Sequence, residues 1–119
     1  MIHEQQSLYS QKLFSYGTLQ NEAVQYENFG RKLHGKADAV IGYVLSTIEI
    51  KDPAVVALSG ENIHPIIRFT GDPSHMVSGA VFEISEAELQ RADSYEVAAY
   101  QRVRVTLSSG LTAWAYVAT

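Results

Sequence analysis

The sequence predicts an α+β domain whose β-strands form a strongly curled or barrel-like sheet. Segments of strand character outnumber helical ones by roughly three to one. Strands and turns alternate without an internal repeat or a low-complexity stretch, as one continuous unit does. The chain has 119 residues, 46% of them hydrophobic and 18% charged, enough for a core that stands without a staple. It contains no cysteine, so a disulfide framework, a thiolate nucleophile and a sulfur-bound zinc site are all excluded.

Residues 1–11 read as a polar leader and 12–119 as a single domain. The first strand is expected over 12–16, stopped by Gly17. Asn21 can cap a short helix with Glu22 in its first turn, and Gly30 can end it. The stretch 37–50 is rich in Val, Ile, Tyr and Thr and reads as one long or bent strand with Gly42 at the bend. Short strands follow at 55–58 and 66–70, separated and closed by the turn signals Ser59-Gly60-Glu61-Asn62 and Thr70-Gly71-Asp72-Pro73-Ser74. After a strand at 79–84, Ser85 and Glu88 have the spacing of a capping box, so a second helix starts near Glu86. Finally, 100–107 alternates Arg102, Arg104 and Thr106 against Val103, Val105 and Leu107, and Ser108-Ser109-Gly110 turns it into a hairpin with 112–117.

Charge and spacing remove several function classes. The formal net charge is −4 and the nine basic residues are scattered, which gives no electrostatic footprint for nucleic acid. No apolar run approaches the roughly eighteen residues that span a bilayer, and the start has no basic n-region, so a cytoplasmic location is expected. His3, His34, His64 and His75 show no short metal-ligand spacing, and neither a metal nor a cofactor is implied. Glycine-rich phosphate loops and the G-x-S-x-G nucleophile elbow are absent.

Two segments can carry chemistry. In Leu13-Phe14-Ser15-Tyr16-Gly17-Thr18-Leu19, a strand runs into a glycine turn whose backbone amides suit a carboxylate or a developing oxyanion. In Ala92-Asp93-Ser94-Tyr95-Glu96, the acid falls at i+7 from Leu89 and i+4 from Ala92. If the helix continues that far, Glu96 points toward the core, where burial raises a carboxyl pKa toward the range useful for proton transfer. If the helix has ended by Ser94, Glu96 is a solvated residue paired with Arg102. Both readings stand at this level. Tyr16 and Tyr100 are candidate hydroxyl donors, and Asp93 is expected to bond backbone near the helix end.

These residues resemble the γ-glutamylcyclotransferase-like, or AIG2-like, family. The resemblance runs from Lys12 to Val117 through Phe14-Ser15-Tyr16-Gly17-Thr18-Leu19, Gly79-Ala80-Val81-Phe82-Glu83-Ile84, Leu89 with Ala92-Asp93-Ser94-Tyr95-Glu96, Tyr100-Gln101-Arg102, and Ala113-Trp114-Ala115-Tyr116-Val117. It implies a small mixed barrel with helices outside, Glu96 as general acid/base, and a loop of Tyr16, Gly17, Thr18 and Leu19 that holds the γ-glutamyl group of a small-molecule substrate. Three places depart from the family pattern: Gln20 stands where many members have Arg, Val97 where Gly is common, and 63–68 lacks a close match to the usual tyrosine-proline stretch.

The implied reaction is closure of 5-oxoproline by attack of the substrate's own α-amine on its γ-carbonyl, with release of an amine. Nucleophile and electrophile share one molecule, so fixing the reactive conformer supplies much of the rate. Arg68 can bind a substrate carboxylate if its strand turns it to the cavity. The leaving amine and the oligomeric state are not encoded in any motif. Two other readings compete: a non-catalytic small-molecule binding module on the same scaffold, and an interaction domain with Glu96 on its surface.

Overall fold

In the computed structural model, which describes residues 8–49, 53, 54, 57, 63–95 and 98–119, strand β1 (Gln11–Ser15) sits at the centre of a five-stranded sheet. The chain then makes a 3₁₀ turn (Thr18–Gln20) and helix α1 (Glu22–Phe29). Asn21 caps α1 as expected, its side chain accepting from the Ala23 N–H at 2.8 Å, and Gly30 closes it in the left-handed region at φ 70°. Strands β2 (Gly35–Ile41), β3 (Tyr43–Glu49), β4 (Ile63–Phe69) and β5 (Met76–Ile84) follow. Helix α2 (Glu86–Tyr95) leads to the hairpin of β6 (Tyr100–Thr106) and β7 (Thr112–Ala118), turned at Gly110 with φ 93°.

The expected single strand over 37–50 is two strands in two sheets. Gly42, at φ 87°, donates to the His75 carbonyl at 2.8 Å and accepts from Thr70 N–H at 2.8 Å and Gly71 N–H at 3.2 Å. Its backbone therefore serves both neighbours, and the chain leaves the main sheet there. β3 pairs with β4 as a separate antiparallel ribbon, from Tyr43 opposite Phe69 to Glu49 opposite Ile63. β4 begins three residues before the expected start. Of the strand expected over 55–58, only Ala57 is described, and it lies in no strand.

The main sheet has the order β2-β5-β1-β7-β6. β1 runs antiparallel to β5 and parallel to β7, so the sheet is mixed. Its two outer strands meet at one end: Val40 bridges to Leu107, and Ser108 N–H donates to the Ala39 carbonyl at 2.8 Å. That contact curls the sheet toward the barrel expected from the sequence. Strand alternation divides the core in two. Phe14, Val40, Ile67, Val81 and Val105 fill the inside of the curl, with Ile67 brought in by the ribbon. Leu13, Phe82 and Ile84 face outward and are covered by Phe29 of α1 and by Leu89 and Ala92 of α2. Leu89 is 1% exposed, and a leucine buried so completely contributes about 1.5–3 kcal/mol to docking its helix.

Candidate active site

The loop between β1 and α1 is shaped by β5. A Cβ placed on Gly79 would strike the Ser15 carbonyl oxygen and come within 2.8 Å of Phe14 Cζ, so only glycine lets the end of β1 lie this close. Beyond Ser15 the chain turns at Gly17, where an added Cβ would touch the Pro65 ring at 3.4 Å. In the following 3₁₀ turn, Gly17 carbonyl accepts from Gln20 N–H at 3.2 Å and Thr18 carbonyl accepts from Asn21 N–H at 2.9 Å. Leu19 carbonyl accepts from the Gln25 side-chain amide at 2.9 Å. Gly17 N–H donates to Ser15 Oγ at 3.3 Å. The next two N–H groups, of Thr18 and Leu19, make no hydrogen bond among the described residues. A loop with these three carbonyls satisfied and two consecutive donors unused suits an oxyanion or carboxylate.

Gln25 fixes this arrangement from α1. It is only 4% exposed, and it also accepts the Leu33 N–H at 2.8 Å through Oε1. One buried amide thus satisfies two backbone groups that would otherwise lack partners. Pro65 closes the loop from the ribbon: its ring lies against Gly17, and its carbonyl accepts from the Tyr100 hydroxyl at 2.8 Å. Tyr16 donates its hydroxyl to the Tyr116 carbonyl at 2.7 Å. The structure therefore brings Tyr16, Gly17, Thr18, Leu19 and Tyr100 into one neighbourhood. It also changes the expected role of the two tyrosines: their hydroxyl protons are directed at backbone carbonyls, because β7 and β4 present those carbonyls within reach.

Glu96, expected as the general acid/base, lies outside the described residues, as does Val97. The helix that leads to it is held at its last turn. Asp93 Oδ1 accepts from Arg102 Nε at 2.8 Å and from the Tyr116 hydroxyl at 2.7 Å, while Oδ2 accepts from Arg102 Nη2 at 3.0 Å. Asp93 was expected to bond backbone; β6 instead sets Arg102 opposite it. Burial opposes the charged form of Asp93, but the hydrogen bonds from Arg102 and Tyr116 outweigh it and hold the carboxyl below the usual carboxylate range. Arg102 also lies 4.3 Å from the Trp114 ring centroid.

Arg68 is exposed on β4, opposite Val44. A surface cleft of about 510 Å³ borders the loop at Gln20 and is lined by Lys32, His34 and Lys36 together with Glu22. Sequence reasoning passed over Gln25, Pro65 and Tyr116. Gln25 carried a usable signal, being a polar residue four positions before Phe29 on the buried stripe of α1, whereas the contacts of Pro65 and Tyr116 depend on strand pairings far along the chain that no local pattern reveals.

Several solved structures share this fold. A protein of Arabidopsis thaliana known from its solution structure superposes with a TM-score of 0.67 at 24% identity, over 91% of this chain and 61% of its own. A structure described as a gamma-glutamyl cyclotransferase gives 0.65 at 15% identity, over 92% of this chain and 66% of its own. An uncharacterized protein of Pyrococcus horikoshii gives 0.58 at 18% identity, over 91% and 77%. This chain thus spans less than two thirds of the first two. A search of curated proteins finds no match. The sequence itself matches the family described as gamma-glutamyl cyclotransferase, AIG2-like, over residues 13–119, nearly all of the chain whose strands and loop are described above. The chain belongs to the gamma-glutamyl cyclotransferase, AIG2-like family.

Proposed function

We propose that the protein is a γ-glutamyl cyclotransferase that converts a small γ-glutamyl amine or peptide to 5-oxoproline and a free amine. The observation that carries this reading is the pair of N–H donors at Thr18 and Leu19 that make no hydrogen bond among the described residues, in a loop whose Gly17, Thr18 and Leu19 carbonyls are satisfied. The substrate's γ-carbonyl oxygen takes hydrogen bonds from these amides, and the charge that grows on it as the α-amine attacks is stabilised there. Gly17 keeps the approach open and Pro65 walls it. Tyr100 borders the same space. Glu96 takes the proton from the attacking ammonium and returns it to the departing nitrogen as the C–N bond breaks. Ring closure is intramolecular, so the site works by holding one folded conformer of the substrate, and effects of about 7 kcal/mol are available from such positioning.

The test is 5-oxoproline release from a panel of γ-glutamyl amines and peptides. Wild type is expected to release it from at least one member of the panel, and Glu96→Gln to lower kcat by a factor of about 10² to 10⁴ while the circular dichroism spectrum stays the same. A Gln variant as active as wild type would remove Glu96 from the chemistry. No release from any compound by folded wild type would overturn the enzyme assignment.

A further inference from the structure

We propose that Tyr116 is a positioning residue that sets the register between the 16–19 loop and the last turn of α2. Its two ends serve two elements. The hydroxyl donates to Asp93 Oδ1 at 2.7 Å, on the last turn of α2, and the carbonyl accepts from the Tyr16 hydroxyl at 2.7 Å. One residue of β7 therefore fixes both the start of the substrate loop and a point three residues before Glu96.

The base for this tie is stiff. Asp93 is also gripped by the fork of Arg102, which makes two hydrogen bonds to the carboxylate. Arg102 and Arg104 each lie 4.3 Å from the Trp114 ring centroid. Trp114 in turn donates to Gln11 Oε1 at 3.0 Å, at the start of β1. β6, β7 and β1 thus form a braced platform, with Tyr116 two residues beyond Trp114 on the same face. The pair is not there chiefly for stability. The Asp93 and Arg102 side chains are 38% and 26% exposed, and ion pairs at that exposure contribute little to the folding equilibrium. What such a bonded fork does supply is direction, and a misplacement of about 1 Å in a catalytic group lowers turnover by about 10²-fold.

This inference rests on the cyclotransferase reading for its consequence, but its geometry can be tested apart from it. Tyr116→Phe deletes the hydroxyl and keeps the backbone carbonyl that holds Tyr16. In an active wild-type background, Tyr116→Phe is expected to lower kcat by about 10- to 100-fold with KM changed by less than about twofold, per folded molecule. Hydrogen exchange is expected to speed up over residues 92–100 and to stay unchanged in β5. Asp93→Ala is expected to do the same, and the double variant to be no worse than Asp93→Ala alone, since both delete one shared bond. A residue with only a structural role would lower the melting temperature and leave kcat unchanged, and that result overturns the proposal. If wild type releases no 5-oxoproline, the function reading fails and exchange decides the register claim: faster exchange over 92–100 in Tyr116→Phe supports it, and unchanged exchange overturns it.

Discussion

Gln25 ties Leu19 of the candidate loop to Leu33 beyond α1 through the two ends of one amide. Replacing it with Leu keeps the volume and removes the partners of Leu19 carbonyl and Leu33 N–H. Each unsatisfied buried group costs about 1–3 kcal/mol, so Gln25→Leu should lose about 2–4 kcal/mol in urea unfolding, allowing for relaxation toward water. The activity loss should exceed what the folded fraction explains, because the Leu19 carbonyl is freed to rotate. Equal losses of activity and of folded protein would show that Gln25 merely stabilises. At this scale the sequence was partly legible. Tyr16 through Leu19 and Tyr100, singled out from the loop pattern and the family resemblance, lie in one neighbourhood. The partner of Asp93 was not foreseen, because which residue of β6 faces the helix depends on a register set by β7, far along the chain.

Among the elements, local signals read best. Ser85 and Glu88 form the expected capping box: Glu88 N–H donates to Ser85 Oγ at 3.1 Å, and Ser85 N–H donates to Glu88 Oε1 at 2.8 Å. Glu88 also accepts from Arg31 Nε and Nη2, each at 2.8 Å, which ties α2 to the chain just after α1. Ser85→Ala should therefore cost about 1 kcal/mol, seen as a lower urea midpoint with an unchanged slope. Gly79→Val should cost far more, since the new side chain meets backbone at Ser15 that cannot step aside. It should also disturb the loop that follows Ser15, so any folded variant should bind substrate worse than its stability alone implies. The long strand over 37–50 was misread for a physical reason. Its composition is that of strand on both sides of Gly42, and what splits it is pairing of β2 with β5 and of β3 with β4, partners that local composition does not name.

Across the whole molecule, the sequence announced an α+β domain with a curled sheet, and closure through Val40 and Leu107 gives that curl its form. Among the described residues no helix is long and apolar enough to cross a membrane. Its acid stability draws on the two carboxylates that, among the described residues, pair with an arginine across separate elements, Glu88 and Asp93. Burial opposes ionisation of Glu88, but hydrogen bonds from Arg31 and from the Ser85 backbone prevail and lower its pKa, as Arg102 and Tyr116 do for Asp93. Both groups bind fewer protons folded than unfolded in the window below their unfolded values of about 4.3 and 3.9. Their stabilisation is present above that window and is lost as pH falls through the folded values. The urea midpoint should hold from pH 7 to about 5 and fall below about 4, and Glu88→Gln should flatten part of that fall. An acid limb identical in the variant would mean that Glu88 is not linked to folding.

The central claim, that the loop amides grip the reacting end of a γ-glutamyl compound, is tested most directly by a backbone-wide map of amide shifts during titration with 5-oxoproline. The Thr18 and Leu19 N–H signals should move downfield and saturate together, with Gly17 and Tyr100 following. Shifts confined to the cleft of Lys32, His34 and Lys36, with Thr18 and Leu19 unmoved, would contradict it.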